Sequence, residues 1–133
     1  MTGRADRLKR IMRLQRQIEA LHETKRANHL SQAAAANRET GELVESLNAA
    51  SPLPGLFPDI YNRRIGQSIE REERERRNAE EEARKLANAT ARVKIVEKAW
   101  KEAARLEDRE AADKERLEII ERRLGDPGQG DRK

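Results

Sequence analysis

The sequence predicts an all-α fold: two long helices folded back on each other as an antiparallel coiled-coil hairpin, with a Pro-rich loop at about residues 51–58. Three observations carry this. The first is composition. Of 133 residues, 29 are Lys or Arg and 25 are Asp or Glu, so 41% are charged although the net charge is only +4. The chain is dominated by Arg, Ala, Glu, Leu and Lys, the bias of long helices and coiled coils. The second is the spacing of apolar residues in steps of three and four, the signature of one helix face. The third is the punctuation. Pro52, Pro54 and Pro58 fall together in SPLPGLFP, with Gly55 among them. Each proline removes a backbone donor and disfavours helix before it, so no α-helix survives that spacing.

The breaks define the elements. A first helix is predicted over 5–50 and a second over 59–124, forming one hairpin domain, 1–124. The tail 125–133 carries Gly125, Pro127, Gly128 and Gly130 and is expected to be disordered. The first helix opens with a stripe at Leu8, Ile11, Leu14, Ile18 and Leu21. A thinner stripe resumes at Leu30, Ala34, Asn37, Gly41, Val44 and Leu47. In the second helix, Ala79, Ala83, Leu86, Thr90, Val93, Glu97 and Trp100 make one stripe. A shifted one runs through Ala103, Leu106, Glu110, Asp113, Leu117, Ile120 and Leu124. The shift predicts a break in heptad phase near residues 100–106. Glu precedes Arg or Lys by four residues at Glu72–Arg76, Glu81–Lys85, Glu97–Lys101 and five further places, each worth ~0.2–0.5 kcal/mol to an exposed helix. Being longer, the second helix must overhang the first or be irregular near Asp59–Ser68. The same periodicity fits closure within one chain or pairing across a dimer.

Several classes of function drop out. With no cysteine there is no disulfide framework, thiolate metal site or cysteine nucleophile. No apolar run approaches the ~20 residues of a membrane span, and no apolar h-region marks a secretory leader. The glycines are scattered, so none forms a phosphate-binding loop. Two paired helices offer no desolvated pocket for converging catalytic groups. No catalytic, cofactor-binding or metal-ligating residue is therefore assigned, and the chain is not expected to be an enzyme. His22 and His29 are read as solvated.

Two stretches are candidates for binding. Arg4, Arg7, Arg10 and Arg13, with Lys9 and Arg16, form a basic N-terminal face suited to an acidic protein, to nucleic acid or to an anionic membrane surface. No aromatic or amide base-reading cluster accompanies them, so nucleic acid is less favoured than an acidic protein. The loop is the more informative stretch. Leu53, Leu56, Phe57, Ile60 and Tyr61, followed by Arg63 and Arg64, put two of the three aromatics at a turn. Helix–helix turns ordinarily need only two to five residues. Either these side chains cap the hairpin on Leu43, Val44 and Leu47, or they form a docking knob rimmed by arginines. Trp100 is read as a seam residue opposite small side chains.

The basic start RADRLKRIMRLQRQIEAL, the break SPLPGLFPDIY and the charged close EDREAADKERLEIIERRL together resemble the FliJ/YscO group of type III secretion proteins. The resemblance covers residues ~5–124 and rests on architecture rather than on a specific motif. It implies a non-enzymatic adaptor or stalk of a type III (flagellar) export apparatus. Such a protein couples an export ATPase hexamer to the export gate or to chaperones, in the cytoplasm or peripherally at the inner membrane. The alternatives are a self-associating structural coiled coil and a nucleic-acid-binding helical protein.

Overall fold

The computed structural model describes residues 3–49 and 55–125. Within them the chain is two long helices in an antiparallel coiled-coil hairpin. Helix α1 spans Arg4–Asn48 and α2 spans Pro58–Leu124. The predicted 5–50 and 59–124 are off by one or two residues at three of the four ends, and α2 ends at Leu124 as predicted. Pro58, predicted to belong to the loop, is instead the first residue of α2. Its fixed φ suits a first helical position, where its missing N–H costs nothing. Asp59 sits in that first turn and Arg122 and Arg123 in the last, as the helix dipole favours. The centre of the predicted loop, with Leu53, and the tail beyond Gly125 lie outside the described residues.

The chain gathers into two compact units. One joins Met1–Leu14 to Arg92–Lys133, and the other is Gln15–Ala91. In the Gln15–Ala91 unit the helix seam is small and polar. Ala33 and Ala36 are only 1% and 0% exposed, and Leu43, Ala79, Ser68, Glu82 and Ala89 are also buried. His22 and His29 from α1 and Glu75 and Ile65 from α2 are half-buried between them. In the other unit, Ala5, Met12, Val93 and Ala103 are buried, with Leu8, Val96, Trp100 and Glu107 half-buried. No large side chain among the described residues is fully buried.

Of the predicted α1 stripes, Leu8, Ile18 and Leu47 turn inward; elsewhere the seam differs by one residue, and the difference changes side along α1. Ile11, Leu14 and Leu21 are 44%, 54% and 50% exposed, whereas the next residue on, Met12, Gln15 or His22, turns inward. Further along, Leu30, Ala34, Asn37 and Val44 are exposed, and the residue before each, His29, Ala33, Ala36 or Leu43, turns inward. Along α2, Ala79, Leu86, Val93 and Trp100 do face the seam, but Glu82, Ala89 and Val96 take the places predicted for Ala83, Thr90 and Glu97. The predicted phase break near 100–106 is absent. Val96, Trp100, Ala103 and Glu107 turn inward at steps of four, three and four. The reason is spatial. Helices in close contact admit alanine, or a polar residue that meets a partner, more readily than a row of leucines.

Glu107 ends the pairing. Its Oε1 accepts the Ala5 amide at 3.1 Å, so a carboxylate from α2 serves the first turn of α1, where orphan amides and the dipole both favour it. A Cβ at Gly3 would lie 2.6 Å from the same oxygen, so a larger residue there would turn the Glu107 carboxylate aside. Residues 108–125 are exposed throughout, which makes them the overhang that the unequal helix lengths imply.

Replacing Ala36 by Leu should lower the melting temperature, at a cost of ~1–3 kcal/mol for overpacking a filled seam. Leu30→Ala should change stability by under ~0.5 kcal/mol. Circular-dichroism melts of both variants check the ranking; the reverse order would place the seam on the Leu30 face.

Candidate interaction surfaces

Within the Gln15–Ala91 unit the polar seam is a ladder of paired side chains. His22 Nδ1 lies 2.7 Å from Glu82 Oε2, and His29 Nδ1 lies 2.6 Å from Glu75 Oε2. The two histidines, seven residues apart on one face of α1, are therefore partnered rather than solvated. Asn37 donates to both oxygens of Glu72 at 3.3 Å, and Arg76 donates to Glu72 at 2.9 Å. The Thr40 and Ser68 hydroxyls meet at 2.6 Å. Each also lies 3.0 Å from a carbonyl of its own helix, so one proton bridges the hydroxyls while the other goes to backbone. Arg64 and Arg71 both reach Glu39, at 3.6 and 3.7 Å, and Arg71 also donates to Gln32 at 2.8 Å.

The ladder has electrostatic consequences. The hydrogen bond from His22 holds the Glu82 carboxyl below the usual carboxylate value; burial opposes this, and Lys85 adds to the lowering. Glu72 is lowered too, first by its hydrogen bond from Arg76 and then by that from Asn37. Three of the predicted intrahelical pairs close: Glu72–Arg76 at 2.9 Å, Glu97–Lys101 at 3.3 Å and Glu81–Lys85 at 3.9 Å.

The apolar residues at the start of α2 are turned to solvent. Leu56 is 68% exposed, Phe57 51% and Ile60 53%. Tyr61 is half-buried and begins the α2 seam. Of the expected capping partners, Leu43 is buried and Leu47 half-buried, but Val44 is exposed. Leu56, Phe57 and Ile60 are thus displayed rather than used as a cap. Arg63 and Arg64 flank them, both exposed.

The N-terminal arginines do not share one face. Steps of three residues turn back by about 60° each, so Arg4, Arg7, Arg10 and Arg13 spread round half of α1. All four are exposed, and none pairs with a carboxylate among the described residues. Lys9 differs: its Nζ lies 5.8 Å from the centre of the Trp100 ring, within cation–π range. Trp100 is half-buried in the seam, as its spacing predicted. No group of three or more metal-ligating side chains occurs among the described residues, and no described helix is long and apolar enough to cross a membrane. No protein-family model, curated protein or solved structure matches this chain.

The Glu82 pairing predicts a pH dependence. A carboxyl that titrates lower in the folded state than its ordinary 4.5 contributes stability that is fully present above that value. The contribution disappears as the pH falls through the lowered folded value. Melts recorded from about pH 7 to about pH 3 should therefore show an acid-induced loss that is smaller in Glu82→Gln. Equal acid sensitivity of the two proteins would remove the pair from the account.

Proposed function

We propose that this protein is a non-enzymatic coiled-coil adaptor that binds a protein partner through Leu56, Phe57 and Ile60. The observation that carries this reading is their exposure at the start of α2, beside Arg63 and Arg64. Exposed apolar side chains rimmed by polar ones are what a docking site presents to its partner, and aromatic and Arg residues are favoured as its anchors. The paired helices give such a knob a firm mount, because the seam ladder fixes the register of the segment that carries it.

The more specific form of the proposal is a stalk or adaptor of a type III (flagellar) export apparatus, coupling an export ATPase to the gate or to chaperones. It is supported by the likeness in architecture to the FliJ/YscO group: a highly charged, cysteine-free helical hairpin with a basic start and a Pro- and aromatic-containing break. In that role the protein would work in the cytoplasm or peripherally at the inner membrane.

The test is capture of purified export ATPase by the full chain and by a Leu56→Ala, Phe57→Ala, Ile60→Ala form. Tyr61 is left intact because it begins the seam. The expected result is binding by the native chain and a loss of at least ~1.4 kcal/mol, about tenfold, in the variant, with helicity unchanged. A collapse of helicity would make these residues core caps. Capture unaffected by the substitutions would move the contact elsewhere, and absence of capture by either form would remove the export assignment.

A further inference from the structure

In the paired part of the unit formed by Met1–Leu14 and Arg92–Lys133, the exposed large aliphatics gather on one flank, among arginines. In an antiparallel pair, the residues just before the seam positions of both helices emerge on the same side, because reversing the chain also reverses the sense of rotation. The seam positions here are Ala5, Leu8 and Met12 of α1, and Val93, Val96, Trp100, Ala103 and Glu107 of α2. The residues before them are Arg4, Arg7 and Ile11 on α1, with Leu14 one turn after Ile11, and Arg92, Ile95, Ala99, Glu102 and Leu106 on α2. The groove lined by Arg4, Ala99, Glu102, Ala103 and Leu106 confirms that these positions share a side. Four aliphatic side chains on it are turned to water: Ile11 44%, Leu14 54%, Ile95 69% and Leu106 43% exposed. The opposite flank carries Asp6, Lys9 and Arg13 from α1 and Lys94, Glu97 and Lys101 from α2.

Such one-sided segregation is unexplained by the hairpin itself, since none of the four aliphatics is needed in the seam. It is what a two-helix layer presents to a third helix lying in the groove between them. Ala99, which lines the groove, is small and half-buried, while Leu14 and Ile95 are exposed.

The charge around this groove selects the occupant. Arg4 and Arg7 border it on α1 and Arg92 on α2, against one carboxylate, Glu102. Neither Arg4 nor Arg7 pairs with a carboxylate among the described residues. We propose that this flank is a docking groove for an acidic amphipathic helix of a partner protein, with the partner's apolar stripe on Ile11, Leu14, Ile95 and Leu106 and its acidic flanks on Arg4, Arg7 and Arg92. A second copy of this chain brings arginines to arginines when it uses the same flank. A lipid surface would have to accept Glu102 beside the aliphatics. The groove is separate from the Leu56–Ile60 knob, so the two proposals stand or fall independently.

The test uses the full chain and two fluorescein-labelled helical peptides with the same Leu stripe, one with Glu and one with Lys at the flanking positions, read by anisotropy. The acidic peptide should bind at least ~10-fold tighter than the basic one, and Ile95→Glu should weaken its binding at least ~10-fold. Because Ile95 is 69% exposed, the Ile95→Glu protein should melt like the native chain. A second variant, Arg7→Glu, should narrow the gap between the peptides without altering the melt. Equal binding of both peptides, or acidic-peptide binding indifferent to Ile95→Glu, would overturn the proposal. So would sedimentation showing that Ile95→Glu abolishes self-association of the chain. Binding to phosphatidylglycerol vesicles that Ile95→Glu abolishes, without binding of the acidic peptide, would assign the flank to membranes instead.

Discussion

The close approach of two helices at Ala33 and Ala36 is the constraint on which the Gln15–Ala91 unit depends. Side chains that leave 1% and 0% of their surface exposed show how little room the seam has at that level. Larger apolar residues are excluded from those places, so apolar burial supplies only part of the cohesion. The rest comes from many small contributions: paired polar side chains across the seam, and exposed intrahelical ion pairs worth ~0.2–0.5 kcal/mol each. A helix pair of this kind is stable because it is long, not because any one contact is strong.

Polar residues in the seam also specify register. As observed, His22 meets Glu82 and His29 meets Glu75. A slip of one heptad would bring His29 to Glu82 but set His22 against Ala89 and Glu75 against Ala36. One histidine and one carboxylate would then lose their partners in a part-buried place, at the cost of unpaired polar groups. A seam of leucines would tolerate the same slip far better. The Glu107 carboxylate, at the first turn of α1, fixes the register of the other unit by the same logic.

The fold was legible in the sequence because proline punctuation, helix-forming composition and step spacing are local signals. The breaks at Pro58 and Gly125 fall within a residue or two of the helix ends. The seam was harder to read. Hydrophobicity ranks Ile11, Leu14, Leu21 and Val44 as interior, whereas the interior went to Met12, His22, Ala36 and Leu43. What was missing is that a His on one helix and a Glu on the other make an acceptable seam layer only as a pair, and the pairing partner lies 46 or 60 residues away. Spacing could have hinted at it, since His22 and His29, like Glu75 and Glu82, are one heptad apart. The exposed knob was legible as an unusual composition, but whether Leu56, Phe57 and Ile60 face inward depends on tertiary packing alone.

Large aliphatics that hydrophobicity would place inside therefore remain outside the seam. That conclusion rests on the small, polar seam and on the register it imposes within one chain. Disulfide trapping tests this most directly, because the chain has no cysteine of its own. Thr40 and Ser68, whose hydroxyls lie 2.6 Å apart, would both be replaced by Cys and the protein oxidised gently at low concentration. The account predicts an intramolecular disulfide, seen as a faster-migrating monomer on non-reducing gels and a raised melting temperature. Free thiols, or a covalent dimer in place of the monomer, would contradict it.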